Sequence, residues 1–140
     1  MEATLRLESP WQPYALSLLR FVVGLCFLQH GLSKLVGFPV VASLPAHLPP
    51  VEVIAGFIET IGGVLVVLGL LTRPAAFIMS GEMAVGYFMI HNPRSFFPLL
   101  NGGEAAVLFC FVFLYLATAG GGPISLDRLI ASRRAAPARF

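Results

Sequence analysis

Apolar residues fall in four blocks along the chain: Tyr14 to Val36, Val51 to Leu71, Pro74 to Ile90, and about Leu99 to Ala119. At a helical rise of 1.5 Å per residue, blocks of this length cover roughly 25 to 35 Å, which matches a hydrocarbon core of about 30 Å. The pattern predicts an all-α integral membrane protein, an antiparallel four-helix bundle, built as a single transmembrane domain over residues 1–140, with residues 120–140 as a tail. Only Thr72 and Arg73 separate the second and third blocks, so these two helices must be antiparallel neighbours. Thr72 is expected to cap the helix that Pro74 begins, because proline fits a first turn where its missing N–H costs nothing. The fourth block ends at Gly120-Gly121-Gly122-Pro123, which cannot continue a helix cheaply, and Ser125 is expected to cap a short terminal helix.

Composition strengthens this reading. Of 140 residues, 57% are hydrophobic and 11% charged, and the mean hydropathy is +0.85. A soluble domain carries roughly 25% charged residues. The net charge of +2, with no basic run interleaved with aromatics, argues against a nucleic-acid partner and leaves the lipid bilayer as the expected surroundings. The first block is too long for a cleaved signal peptide and is expected to be retained. No dinucleotide, phosphate-loop or zinc-protease motif is present, so no catalytic residue is assigned, and an accessory subunit is a better expectation than an enzyme acting alone.

With four spans, the Thr72–Arg73 turn shares a side with both termini. That side carries Arg6, Arg73, Arg128, Arg133, Arg134 and Arg139, whereas the other carries Lys34 and Arg94. The positive-inside rule then places both termini in the cytoplasm. The two connections on the far side, Gly37 to Pro50 and Asn92 to Gly103, mix proline with apolar residues. Such segments either rest at the membrane interface or close over an opening between the helices.

Ionisable groups at membrane depth normally face a bundle interior or a cavity. Arg20, Glu59, Glu82 and Glu104 all fall inside the blocks. Glu59 and Glu82 each lie about 12 Å from the start of their block, on opposite membrane sides, so both reach mid-depth. Arg20, Val23, Phe27, His30 and Lys34 follow helical spacing and predict one stripe, as do Glu52, Gly56, Glu59 and Gly63 in the second block. The stripes are expected to converge on a polar interior around Arg20, Glu59, Glu82 and Glu104. Arg20 is expected either to snorkel to the surface or to pair with one of these carboxylates. Two readings follow: an ion pair that fixes helix register, or a mid-depth pocket or proton relay bounded by Glu59, Glu82 and the Phe27–His30 face. Phe96 and Phe97 would wall the pocket from above. Two carboxylates facing each other there must share a cation or a proton.

His30, Lys34, His91 and Arg94 gather near the far ends, and His47 lies in the first far loop. No histidine spacing supports a metal site, and none is assigned. Cys26 and Cys110 lie at similar depth, but roughly 120° off the charged faces of their helices, and are expected to stay free thiols.

The ordered set of features resembles the DoxX-like family of bacterial four-helix membrane proteins. The matching pieces are Arg20 with Gly24, His30-Gly31-x-x-Lys34-Leu35, Glu59-x-x-Gly62-Gly63 and Gly69-Leu70-Leu71-Thr72-Arg73-Pro74-Ala75-Ala76. Met83, His91, Glu104 and Gly120-x-Gly122-x-x-Ser125-x-Asp127 complete it, so the likeness runs from about Ala15 to Leu129. The resemblance implies a membrane subunit of a redox or oxidative-stress assembly, since some relatives are the small subunit of a thiosulfate:quinone oxidoreductase. Quinone is the cofactor it suggests, and other membrane or redox subunits are the partners. Ligand-binding or proton-relay candidates are Arg20, His30, Lys34, Glu59, Glu82, His91 and Glu104. The alternatives are a small proton-coupled transporter or channel that uses the buried carboxylates, and a purely structural, partner-binding subunit.

Overall fold

The structure, a computed structural model, describes residues 9–135, so Arg6 and Arg139 of the charge count lie outside the described residues. It is all-helical: α1 (Gln12–Val36), α2 (Pro50–Leu68), α3 (Thr72–Gly86), α4 (Pro98–Asn101), α5 (Glu104–Ala119) and α6 (Leu126–Ala135). Two of these, α1 and α2, are long and apolar enough to cross a membrane. A π-helical turn, Tyr87–His91, carries α3 onward. Helix α1 packs along α2, α3 along α5, and α2 against α3. Phe27 of α1 bridges the two pairs, 4.8 Å from Phe113 and 5.4 Å from Phe109 between ring centroids.

The interior mixes a hydrophobic core of Phe27, Val66, Ala75, Ala76, Met79, Phe113 and Leu116 with buried polar groups. Ser17, Arg20, Ser33, Glu59, Thr72, Ser80 and Asn101 are buried, whereas Ile54, Phe57, Ile61, Val64 and Leu68 form an exposed apolar row along α2. Steps of three and four put that row on one face, opposite Gly56, Glu59 and Gly63. Close approach explains the small residues: a Cβ on Gly63 would lie 2.9 Å from Leu28 Cα, so only glycine lets α1 and α2 touch here.

Three boundaries differ from those expected. Helix α2 stops at Leu68, because Gly69 takes the left-handed conformation (φ +66°). Thr72 is the first residue of α3 rather than its cap, since Leu71 precedes it as the cap residue with no side-chain hydrogen bond of its own. The fourth apolar block is broken: Gly102 is left-handed (φ +71°), α4 ends before it, and α5 begins only at Glu104. Ser125 does cap α6, its Oγ accepting from the Arg128 N–H at 3.2 Å.

Candidate functional site

Two polar centres lie at opposite ends of α1, about 21 Å apart by helical rise. The end at the α2–α3 turn is called the turn end here, and the end at the 37–49 connection the loop end.

At the turn end Arg20 is 3% exposed. Its Nε donates to Gly121 O at 2.8 Å, Nη1 to Val67 O at 2.6 Å and also to Val66 O, and Nη2 to Ile124 O at 2.6 Å. The guanidinium thus ends α2, where unsatisfied carbonyls and the helix dipole favour a cation. Asp127 does the reverse for α3, accepting from Leu71 N–H at 2.8 Å and Thr72 N–H at 2.9 Å. Burial pushes the Asp127 carboxyl up, but the bonds from Thr72 and Leu71 and the nearby Arg20 outweigh it and hold the group below the usual carboxylate range. Ser17 Oγ accepts from Ile124 N–H at 3.2 Å, and Asp127 N–H donates to Gly69 O at 2.8 Å. Residues 120–127 are therefore tied into the bundle rather than trailing from it.

The expected pairing of Arg20 with Glu59, Glu82 or Glu104 is overturned, and so is the expected snorkelling. Among the described residues Arg20 forms no ion pair with a carboxylate, because the end of α2 and the glycine turn offer nearer acceptors.

The loop end holds the ion pairs. Lys34 Nζ lies 2.8 Å from Glu59 Oε1 and 3.0 Å from Glu52 Oε2, with the Glu59 side chain 4% exposed. Glu59 Oε2 and Thr60 Oγ1 are buried and unpartnered among the described residues. Glu82, on α3, has Glu59, Lys34 and Glu52 as charged neighbours, and its buried Oε2 likewise accepts no hydrogen bond. A lysine ammonium has three N–H donors, and the carboxylates take two, leaving one.

A cavity of about 440 Å³ opens beside Lys34 under the 37–49 connection, lined by Ser33, Val40, Val41, Leu44 and His47 among others. It lies at the loop end rather than at mid-depth. The first connection roofs it, not Phe96 and Phe97, which are exposed at 70% and 62%.

The structure brings together Lys34, Glu59 and Glu82, and adds Glu52. It leaves out three of the other candidates. His30 is exposed at the cluster's edge, its ring 6.1 Å from Phe109, because the buried stripe of α1 runs through Phe27 and Gly31 instead. Glu104 is exposed at the first turn of α5, where a helix N-terminus favours an acid. His91 belongs to a separate polar knot, its Nδ1 3.2 Å from Asn101 O. In that knot buried Asn101 donates to Tyr87 Oη at 3.1 Å and Ser95 O at 2.7 Å, and accepts from Gly103 N–H at 2.7 Å. Cys26 and Cys110 are free thiols, and Cys110 Sγ lies 3.6 Å from Ser80 Oγ on α3.

The DoxX family model matches residues 15–92, which include both Arg20 and the whole Lys34–Glu52–Glu59–Glu82 cluster. The chain belongs to the DoxX family. It is 43% identical over 122 residues to an uncharacterised protein of Haemophilus influenzae, covering 84% of this chain and 91% of that one. It is 33% identical over 127 residues to the inner membrane protein YphA of Escherichia coli, covering 84% and 91%. No solved structure matches this chain. This DoxX protein is thus a helical membrane protein whose apolar faces, such as the α2 row, meet lipid.

Proposed function

We propose that this DoxX protein is a four-helix bundle of the bacterial inner membrane, with both termini cytoplasmic. On this reading it is a subunit of a redox or stress-related assembly and binds the polar head of a quinone-type ligand at the loop end. The observation that carries the reading is Lys34, which bridges two carboxylates, keeps a third N–H, and lines a cavity that Val40, Val41 and Leu44 also wall. Pockets for lipid-soluble ligands combine apolar walls with a few placed polar groups, and Val40, Val41 and Leu44 beside Ser33, Lys34 and His47 supply both. The Lys34 ammonium would donate to a quinone carbonyl while Val40, Val41 and Leu44 cover the ring. A quinone would supply the redox chemistry; the chain's own residues bind and orient.

Equilibrium binding of a short-chain quinone to the protein in lipid nanodiscs tests this. Saturable binding is expected, weakened about tenfold or more by Val41→Trp, which fills the cavity from a loop and leaves the helices untouched. A wild-type protein that binds no quinone, or a Val41→Trp protein that binds it equally well, refutes the reading.

A second reading, proton-coupled transport, draws on the unpartnered Oε2 atoms of Glu59 and Glu82. Proteoliposomes with an entrapped pH dye would then acidify faster than empty ones after an acid pulse. The combined Glu59→Gln and Glu82→Gln substitutions would remove the difference.

A further inference from the structure

The turn end carries a second cavity that the quinone reading does not use. It measures about 650 Å³ and is walled by the α2–α3 turn, the Gly120–Gly122 run and the start of α6. Arg73, from the α2–α3 turn, and Arg128, from α6, both line it, and both are exposed. Among the described residues neither side chain forms an ion pair or hydrogen bond. Arg73 lies across the glycine run, since a Cβ on Gly120 would sit 3.3 Å from its Nε. Among the described residues no acceptor takes the amide N–H of Gly121 or Gly122. One acid also lines the groove, Asp127, but its two oxygens are occupied by the Leu71 and Thr72 N–H groups, with Arg20 close behind. The groove therefore presents two unpaired guanidinium groups beside a space of headgroup size, the donor set that suits a phosphate.

The surroundings choose between a free phosphate and one attached to lipid. Leu71 and Pro74 form the lip of the groove, and one turn further along α3 come Phe77 and Ile78, exposed at 67% and 57%. A phosphate held between Arg73 and Arg128 would have its glycerol at that lip and its acyl chains along the exposed α3 face. We infer that this groove is a binding site for the headgroup phosphate of an anionic phospholipid, clamped by Arg73 and Arg128 over the Gly120–Gly122 turn.

Native mass spectrometry of the whole protein, released from nanodiscs containing phosphatidylcholine and phosphatidylglycerol, tests the inference. The wild type is expected to retain phosphatidylglycerol in preference to phosphatidylcholine. Each of Arg73→Gln and Arg128→Gln should lower the retained fraction about fivefold, and the pair roughly 30-fold, the effect of removing two basic contacts with an anionic lipid. Arg94→Gln, at the other end of the molecule, should change nothing. Both groove arginines are exposed, and an unchanged melting temperature for the double variant confirms that folding is intact. Equal retention by wild type and double variant overturns the proposal. So does displacement of the lipid by excess inorganic phosphate, which would make the groove a site for free anions.

Discussion

Both ends of α1 bury a cation, yet they satisfy it by opposite means. At the turn end Arg20 spends its donors on four backbone carbonyls, and Asp127 spends its oxygens on two backbone N–H groups. At the loop end Lys34 meets side chains only: Glu52 and Glu59 pair with its ammonium, Glu82 lies nearby unpaired, and one oxygen each of Glu59 and Glu82 is left unpartnered. Backbone partners cannot move without unravelling a helix end, so the first arrangement fixes architecture. Side-chain partners can exchange for a ligand or a proton, so the second has the makings of a site. Buried charge alone does not mark function; the kind of partner it has does.

Arg20→Ala is expected to have the largest effect. It removes the guanidinium that joins the end of α2 to the Gly121–Ile124 segment, and charged hydrogen bonds of this kind contribute about 1.5 to 3 kcal/mol each before the freed carbonyls rehydrate. A net loss of roughly 4 kcal/mol should appear in a denaturant titration in detergent. Arg20→Lys should recover little, because one ammonium cannot reach all four carbonyls in both segments. Full rescue by lysine would show that charge, not the planar fork, is what the turn end requires.

Lys34→Met comes next, at about 3 kcal/mol, because it strands Glu59 as a buried carboxylate without its cation. The paired change Lys34→Met with Glu59→Met should recover most of that loss, since an apolar pair replaces the ion pair in a site lipid does not hydrate. If the double variant is no better than the single, the loop end is held by something other than the Lys34–Glu59 bridge.

How legible these two ends were in the sequence follows from the same distinction. The four apolar blocks and the stripe from Glu52 to Glu59 depend on spacing along one helix, and the structure bears out that spacing in α2. Glu52 and Glu59 lie seven residues apart on one face, which periodicity shows, but their common partner Lys34 is on another helix, and the sequence points to Arg20 instead. Arg20 and Asp127 could not be placed, because their partners are backbone atoms at helix ends brought together only by the turn at Gly69 and the fold of Gly120–Gly122. The break at Gly102–Gly103 was visible as a glycine pair but was absorbed into an apolar run, and it is what moves Glu104 from the interior to a helix start. The Asn101 knot was missed for a similar reason, since its acceptors lie in an irregular connection.

Asp127→Asn should cost about 1 kcal/mol at neutral pH, since it keeps one acceptor but removes the charge at the start of α3. The pH dependence has a fixed sign. The folded carboxyl titrates below its unfolded value, so its contribution is present in full above the unfolded pKa of about 3.9 and is lost as pH falls through the lower folded value. The wild type should therefore exceed Asp127→Asn in melting temperature at pH 7, and the two curves should converge once the pH falls below that folded value. A constant difference down to that pH would mean that the α3 cap acts through shape and not through charge.

Glu82→Gln should change stability least, and it sharpens the comparison most. Glu82 makes no ion pair and no hydrogen bond among the described residues, so a neutral isostere takes away no native contact. It also replaces an ionisable group beside Glu59 with a neutral one, which cannot add repulsion there. The expected change in unfolding free energy is under about 0.5 kcal/mol, the range of substitutions that touch no structural feature. Glu59→Gln should behave differently, because it weakens the 2.8 Å bridge to Lys34 and costs stability in proportion. An ionisable side chain whose buried oxygen has no partner, and which is dispensable for folding, has no architectural reason to be there. Melting curves of the two glutamine variants, with quinone binding and acid-pulse assays on the same preparations, separate the cases. A stable Glu82→Gln protein that loses either activity assigns Glu82 to function. A loss of several kcal/mol from the same substitution would place the loop end in the same structural category as the turn end, and the contrast between the two would disappear.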